Sequence, residues 1–291
     1  MNIHIEVIKL SKSLKLNRKS KVRSRSLNQR SSKRYGLVYR FKIFLPLSVL
    51  LVISIMIMGT YAHTSGHNGT NDKIIKVLIY DGPEADSNCT LQTEIILNNA
   101  NENKSSNIKF EYNTTDVINA DSLADYNVLY MPGGQGGEQY VDSENINSDA
   151  IENFVASGNG FVGICAGAYA GANYTDGLDY NGWGIAPDVN DEADYTEENL
   201  SVQTTTIGQQ VLGDSDYLTM SHENGPAFYG NESNYITFAT YADDSADYQG
   251  YGAIVGDYYG KGRVALSGVH PELQPQQPKI LTNLIIWAAN A

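Results

Sequence analysis

The segment 163–169 constrains the fold of this chain more than any other stretch. It reads Gly-Ile-Cys-Ala-Gly-Ala-Tyr and follows a short apolar run at 160–162. This order predicts a buried strand that ends in a sharp turn and opens a helix. At such a turn the sulfur of Cys165 stands clear of the sheet, at a helix N-terminus where the dipole favours a thiolate. The pattern is the thiol counterpart of the Gly-x-Ser-x-Gly nucleophile elbow, and its alternative is a buried, inert cysteine.

Strand and helix patterns alternate ahead of this elbow. Apolar runs predict strands at 74–80, 108–112, 126–131 and 161–164, and helical spacing predicts helices at 90–99 and 148–157, with a short helix or turn at 116–123. Such alternation predicts an α/β fold with a doubly wound, mostly parallel sheet. Ligands bind beyond the carboxyl ends of such strands, where Asp-Gly-Pro at 81–83, the glycine loop at 133–137 and Cys165 all fall.

The second half of the chain predicts further strands and a closing helix. An acidic, turn-rich stretch at 174–198 is expected to be a solvated surface excursion; calcium binding is the alternative, but its spacing is not that of a calcium loop. Strands are predicted at 200–207, 217–220, 235–241, 253–257 and 263–267, and a helix at 278–289.

A histidine and a glutamate follow the last predicted strand. His270 therefore falls at the same sheet edge as Cys165, and Glu272 can orient its far ring nitrogen. Backbone N–H groups of Ala166, Gly133 and Gly134 are candidate donors to an oxyanion. A phosphate-binding role for the glycine loop is weaker, because no Gly-Lys-Ser/Thr follows it.

Two other residues leave alternatives open. His222 either lines the substrate pocket or is a surface histidine. Cys89 either forms a reversible disulfide with Cys165 or is a helix-start cysteine without a partner. Two cysteines make no disulfide scaffold, and no Cys/His set has zinc spacing, so we expect no metal and no cofactor.

Charge divides the chain into a basic tail and an acidic body. Residues 1–42 hold 13 of the 20 Lys and Arg residues and one acid, whereas residues 64–291 hold 7 bases and 32 acids, a difference of −25. Residues 43–62 carry no charge and are mostly aliphatic, and about 20 residues at roughly 1.5 Å each cross a hydrocarbon core of about 30 Å. The basic flank predicts a cytoplasmic tail, a transmembrane signal anchor at 43–62, a linker at 63–72 and an extracytoplasmic domain at 73–291.

Two alternatives apply to this N-terminal region. A signal peptide cleaved near Ala62 would give a secreted protein. The Ser/Arg/Lys-rich run at 19–34 either binds nucleic acid or lies on anionic lipid as a topology signal; we expect the second, and no nucleic-acid partner. The acceptor motifs for N-glycosylation all lie beyond the apolar span, as expected of an external glycoprotein; they are Asn68, Asn88, Asn103, Asn113, Asn173, Asn199 and Asn231.

Three of these segments, taken together, resemble a known superfamily. Pro-Gly-Gly at 132–134, Gly-Ile-Cys-Ala-Gly at 163–167 and His-Pro-Glu at 270–272 are similar, in order and spacing, to class I glutamine amidotransferase domains. The resemblance implies a flavodoxin-like sheet with Cys165 as nucleophile, His270 as base and Glu272 as orienting residue.

A closer resemblance is to the N-terminal, amidotransferase-like domain of fungal-type biotin–protein ligases. There a strand ends in a Tyr-x-Gly-Pro-like turn, as at 80–83 here, and the elbow reads Cys-Ala-Gly-Ala-Tyr, as at 165–169; Asn-Gly-Pro at 224–226 also resembles that family. The resemblance covers about residues 73–291. On this basis Gly82, Tyr169 and Asn224 are expected at the substrate. His222 is added to them because it lies in a predicted loop after a strand, next to Asn224.

The expected function follows from the Cys165 elbow, the predicted extracytoplasmic localisation and the family resemblance. We expect an extracytoplasmic thiol hydrolase or transferase that acts on an amide of a small molecule or peptide. The alternative is a non-catalytic ligand-binding or cell-envelope module on the same fold. Supply of ammonia to a partner synthase fits an extracytoplasmic localisation poorly. Biotin transfer is not expected, because this chain shows no biotin ligase catalytic domain.

Overall fold

The computed structural model describes residues 72–213 and 215–291. The basic tail, the predicted span at 43–62 and nearly all of the predicted linker lie outside the described residues. Among the residues that are described, no helix has the length and apolar character needed to cross a membrane.

Thirteen strands and seven helices make up the described part of the chain. The strands are β1 (Lys73–Tyr80), β2 (Ile108–Thr115), β3 (Val128–Met131), β4 (Gly160–Ile164), β5 (Ala172–Asp176), β6 (Tyr180–Asn181), β7 (Ala186–Ala193), β8 (Glu197–Thr204), β9 (Tyr217–Glu223), β10 (Pro226–Gly230), β11 (Ile236–Tyr241), β12 (Gly252–Tyr259) and β13 (Gly262–Ser267). The helices are α1 (Ser87–Glu102), α2 (Ala120–Leu123), α3 (Gly137–Val141), α4 (Ser148–Ala156), α5 (Ala166–Gly171), α6 (Thr206–Leu212) and α7 (Pro278–Ala288).

Five parallel strands form the centre of the sheet, in the order β2-β1-β3-β4-β13. Alternate residues of β1 enter two separate cores, because successive side chains of a strand point to opposite faces. Ile75 and Val77 join the core that contains residues of α1 and α7, whereas Leu78 and Tyr80 join the core that contains residues of α4. Helices therefore cover both faces, and the predicted α/β fold with a parallel sheet is confirmed for these strands.

Antiparallel strands extend the sheet beyond β13. β12 pairs with β13, β10 with β12, and β7 with β10, while a branch runs from β12 through β11 and β8 to β9. The strands predicted in the second half and the closing helix are all present. The short strand β10 and the helices α3 and α6 were not predicted.

The prediction of a surface excursion at 174–198 is wrong. This stretch contains β6, β7 and parts of β5 and β8, and β7 lies inside the sheet between β5 and β10. Ala186, Val189 and Ala193 are buried between acidic neighbours. The acids masked the strand pattern, because the apolar residues that face the core here are small and widely spaced.

One of those acids, Asp191, is completely buried. It lies opposite Thr175 of β5, and neither of its carboxylate oxygens has a hydrogen-bond partner among the described residues. Burial raises the pKa of the Asp191 carboxyl well above its usual value. The fold therefore tolerates the neutral acid at this position better than the carboxylate.

We predict that Asp191→Asn stabilises the protein at neutral pH by about 1–3 kcal/mol, because the amide needs no charge to be desolvated. Because the folded pKa is raised, the wild type loses stability as pH rises from the unfolded value of about 3.9 towards the folded value. The stability difference between Asp191→Asn and the wild type should vanish below the unfolded pKa, where the Asp191 carboxyl is protonated in both states. Urea unfolding across pH measures it, with Asp125→Asn at an exposed position as the control. A destabilised Asp191→Asn protein at neutral pH would contradict the prediction.

Candidate functional site

The elbow at Cys165 depends on two glycines. Cys165 lies between β4 and α5 with φ 50° and ψ −108°, a conformation that L-residues adopt rarely. A Cβ atom on Gly163 would collide with the backbone carbonyl of Gly167, and one on Gly167 would collide with the carbonyl of Met131. The glycines therefore let α5 approach β3 and β4 closely, which is the predicted strand–turn–helix arrangement.

Pairing between β4 and β13 brings the histidine segment beside the elbow. Ser267 lies in register with Ile164, and the Cys165 N–H donates to the Ser267 carbonyl at 2.8 Å. The Ser267 hydroxyl donates to the Val269 carbonyl at 2.6 Å, and the His270 N–H donates to the Ser221 carbonyl at 2.8 Å. Two strands and one turn thus fix the position of the His270 backbone.

His270 and Glu272 form a buried ion pair. The His270 Nδ1 atom lies 2.7 Å from Glu272 Oε1, and the two side chains are 2% and 0% exposed. Burial alone would lower the pKa of His270, but the Glu272 carboxylate outweighs it and, with Cys165, raises that pKa well above its usual value. The Glu272 carboxylate therefore favours the protonated ring, and the His270 Nε2 atom has no partner among the described residues.

The thiol of Cys165 is next to this ring but not bonded to it. Its Sγ donates to the Glu223 carbonyl at 3.5 Å, and the side chain is only 7% exposed. His270 Nε2 has no partner within hydrogen-bonding distance among the described residues, although Cys165 is close enough to raise the pKa of His270. Catalytic contacts are often long before substrate binds.

Backbone N–H groups surround the elbow without acceptors. Those of Gly133, Gly134 and Ala166 make no hydrogen bond within the described ranges. Gly133 packs against the His270 ring so closely that a Cβ atom would lie 2.6 Å from its Cε1 atom. The three residues predicted as oxyanion donors thus lie at the sheet edge with free N–H groups.

Cys89 is a neighbour that the sequence pattern did not assign to His270. It lies in the first turn of α1, and its Sγ is 3.8 Å from His270 Nδ1, on the ring side opposite the free Nε2. Burial raises the pKa of the Cys89 thiol to about 12, so the thiol stays neutral. Both cysteines are free, so the structure contains no Cys89–Cys165 disulfide.

Three ligand-type atoms meet at this point. Those of Cys89, His270 and Glu272 lie within 4.8 Å of one another. A metal ion there would have to replace the His270–Glu272 hydrogen bond, and all three side chains are buried. These three side chains are therefore better suited to keep a proton on His270 than to bind a metal ion.

A cavity of about 630 Å³ is lined by Gly134 and by residues 197–199 and 221–224. Cys165 is not among the lining residues, and its thiol is linked to the cavity through the Glu223 carbonyl. The cavity includes His222 and Asn224, which were predicted at the substrate. Tyr169 was also predicted there but does not line the cavity. Its hydroxyl donates to the Asn224 carbonyl at 3.1 Å and so helps to position a lining residue. Gly82 is buried against Tyr80 and is not among the lining residues.

Three glutamates of this cavity were not predicted: Glu197, Glu198 and Glu223. Glu223 directly precedes the Asn-Gly-Pro segment at 224–226, which is the only sequence signal that pointed towards it. The other two belong to the acidic stretch that was assigned to the surface.

Comparison with known proteins supports the resemblance. Residues 75–182, just over a third of the chain, match the family model described as the N-terminal part of biotin–protein ligase. The match includes Cys165 and the 133–134 loop, whereas His270 and Glu272 lie beyond it. No curated protein matched this chain.

Solved structures share the fold at low identity. The crystal structure of a glutamine amidotransferase is 17% identical, with a TM-score of 0.52, over 74% of this chain and 99% of that one. A ThuA-like protein from Bacteroides uniformis is 13% identical, with a TM-score of 0.50, over 74% and 91%. A glutamine amidotransferase from Thermotoga maritima is 14% identical, with a TM-score of 0.46, over 75% and 99%. With the family match, the fold confirms the resemblance to the class I glutamine amidotransferase-like superfamily.

The His270–Glu272 pair makes a prediction about pH. The His270 ring should stay protonated well above the ordinary histidine pKa of about 6.5. In Glu272→Gln the carboxylate is lost and burial remains, so the ring should titrate below that value. NMR titration of the ring resonances measures both, with Glu111→Gln on the exposed face of β2 as the control.

The same pair should affect stability with a defined sign. A raised folded pKa contributes stability that is fully present below the unfolded value of about 6.5 and is lost as pH rises through the folded value. Glu272→Gln should therefore be most destabilised, relative to wild type, on the acid side. A wild-type ring that titrates near 6.5 would contradict both expectations.

Proposed function

We propose that this chain is a thiol-dependent hydrolase or transferase that acts on amides. Cys165 is the nucleophile, His270 the proton carrier and Glu272 the residue that holds the ring. The observation that carries the proposal is the buried His270–Glu272 pair, with Nδ1 2.7 Å from Oε1, beside a cysteine on a strained elbow. The superfamily resemblance supports amide chemistry in general, and the assignment of these three roles is ours.

The reaction would proceed in two steps. In the reacting form the proton of the Cys165 thiol lies on His270 Nε2. The resulting thiolate attacks the amide carbon, and the N–H groups at Gly133, Gly134 and Ala166 stabilise the oxyanion. The C–N bond then breaks while His270 Nε2–H gives its proton to the leaving amine, which leaves a thioester. Water or another acceptor attacks the thioester, His270 takes the incoming proton, and the thiolate leaves.

Glu272 supports both steps through the charge on His270. Its carboxylate keeps Nδ1 protonated and the ring fixed, so that Nε2 alone changes protonation. Cys89 lies near Nδ1 as a neutral thiol and brings no competing charge.

Alkylation of Cys165 tests this proposal. We predict that iodoacetamide modifies Cys165 at neutral pH, because its proton can pass to His270, and that His270→Ala slows the reaction by at least about tenfold. Peptide mass spectrometry separates Cys165 from Cys89. His67→Ala, a histidine of the predicted linker, is the matched control. If Cys165 reacts at one ordinary rate in all three proteins, the non-catalytic binding module is the better interpretation.

We further propose that the amidotransferase-like domain, residues 73–291, faces outward on a membrane anchor at 43–62. The basic tail and the uncharged span support this proposal. All six acceptor asparagines that fall among the described residues are exposed: Asn88, Asn103, Asn113, Asn173, Asn199 and Asn231. Exposure is needed for a glycan to be attached.

Terminal tags test the proposed topology. With one epitope at each end of the full chain, protease added to intact cells should remove the C-terminal tag and leave the N-terminal tag protected. Replacing the Lys and Arg residues of 1–42 by Ser should weaken this orientation. Protection of both tags would contradict an external domain, and release of the domain into the medium would indicate cleavage near Ala62.

A further inference from the structure

Two successive carbonyls at the start of the glycine loop converge on one side chain. The Tyr140 hydroxyl donates to the Pro132 carbonyl at 3.2 Å and lies 3.5 Å from the Gly133 carbonyl, its second acceptor. Tyr140 belongs to the short helix α3, which begins where the loop ends, and its side chain is 0% exposed. One buried hydroxyl therefore reaches two neighbouring peptide units of the loop that carries proposed oxyanion donors.

The direction of these carbonyls also fixes the direction of the N–H groups. Both peptide bonds are trans, and in a trans peptide unit the N–H and the C=O point in opposite directions. Because the Pro132 carbonyl faces Tyr140, the Gly133 N–H faces away from it. The Gly133 carbonyl directs the Gly134 N–H in the same way. Neither N–H has an acceptor within the described ranges, and successive free N–H groups in a turn can bind a negatively charged oxygen.

The Tyr140 hydroxyl restrains the angle between the two peptide units. Backbone donors hold each carbonyl separately: the Gly167 N–H donates to the Pro132 carbonyl at 3.2 Å. The Asp86 N–H donates to the Gly133 carbonyl at 2.9 Å. The hydroxyl reaches both carbonyls, across the φ and ψ angles of Gly133. Glycine has the most conformational freedom about these angles, so a bond on both sides of it limits a backbone that would otherwise rotate.

The restrained segment adjoins the reacting groups. Gly133 packs against the His270 ring, and Gly134 lines the cavity that is linked to the Cys165 thiol. A Cβ atom on Gly134 would lie 2.8 Å from the Tyr140 hydroxyl oxygen. The hydroxyl is therefore packed directly against the two glycines whose N–H groups are proposed to act on the substrate.

The hydroxyl, and not only the ring, has a role at this position. Burying a hydroxyl costs stability unless it is hydrogen-bonded, and a phenylalanine ring would fill the same space without that cost. Burial raises the pKa of Tyr140 well above its usual value, so the hydroxyl keeps its proton and remains a donor. The Tyr80 ring packs edge-on against the Tyr140 ring, with the centroids 5.6 Å apart, and helps to hold it in place.

We propose that Tyr140 is a positioning residue, whose hydroxyl directs the Gly133 and Gly134 N–H groups so that both donate to the oxyanion formed when Cys165 attacks an amide. Tyr140 acts through the loop and not on the reacting atoms. This proposal rests on the proposed function, since it takes the two glycines as oxyanion donors.

Two reactions of the same thiol test the proposal. Alkylation by iodoacetamide forms an S–C bond and releases iodide, without an oxyanion. Acylation by 4-nitrophenyl acetate forms one: the Cys165 thiolate attacks the acetyl carbon, the C–O bond then breaks, and 4-nitrophenolate leaves a thioester behind. In Tyr140→Phe, acylation should slow by at least about tenfold, while alkylation stays within about twofold of the wild-type rate. The rate in Cys165→Ala is subtracted as background.

Tyr241→Phe is the matched control. Tyr241 is also buried, and its hydroxyl also donates to a prolyl carbonyl, that of Pro226, at 2.9 Å. This variant loses the same group from the same kind of hydrogen bond outside the glycine loop, so the ratio of acylation to alkylation should equal that of the wild type.

A rescue variant separates the hydrogen bonds from the shape of the side chain. 4-Aminophenylalanine in place of Tyr140 keeps the ring and offers two N–H donors to the two carbonyls. Its acylation rate should return to within about threefold of the wild-type rate.

Several outcomes would overturn the proposal. They are equal slowing of both reactions in Tyr140→Phe, no change in either reaction, and failure of the rescue variant. Both carbonyls keep a backbone donor in Tyr140→Phe, so the variant should remain folded, which urea unfolding checks. An unfolded variant would show that the hydroxyl supports the fold as a whole, and this too would overturn the proposal.

Failure of this proposal is distinguishable from failure of the proposed function. If His270→Ala slows alkylation but Tyr140→Phe keeps the wild-type ratio of the two rates, the thiol chemistry stands and the role of Tyr140 is removed. If His270→Ala alkylates at the wild-type rate, the proposed function fails, and the role of Tyr140 fails with it.

Discussion

The close approach of one short helix to two strands is the constraint on which the site depends. Gly163 and Gly167 have no side chain where the backbone of α5 crosses β3 and β4, and this lets Cys165 occupy its strained turn. Strain of this kind persists only where the surrounding structure over-determines it. Here the Cys165 N–H is also tied to β13, so the turn and the segment that carries His270 are positioned by the same strand.

Electrostatics explains how a protein with so many acids holds a cationic ring in its interior. An imidazolium is costly to bury unless a carboxylate neutralises it, and Glu272 does so at 2.7 Å. Three further carboxylates, Glu197, Glu198 and Glu223, are exposed at the ends of β8 and β9 and have no positive partner in the described part of the chain. Exposed carboxylates stay hydrated, whereas the buried His270–Glu272 pair must be neutralised within the protein.

The sequence predicted the parts of the site that depend on local order along the chain. The elbow, the glycine loop and the His-Pro-Glu segment each follow a strand, so a parallel sheet had to bring them to one edge. Tertiary contacts were harder to predict: Cys89 meets His270 across 181 positions of sequence, and Glu197 meets Glu223 only through β8–β9 pairing. The acidic β7 was assigned to the surface because its buried Asp191 contradicts ordinary burial preferences.

The position of β9 gives the cavity a mechanical link to the chemistry. Within the described residues this strand pairs along its length with β8 alone, and otherwise has a single bridge, from Ser221 to His270. Its last residue supplies the carbonyl that holds the Cys165 thiol. The acceptor of the Cys165 thiol and the anchor of the His270 backbone therefore belong to the same edge strand, so any displacement of β9 would move both of them together.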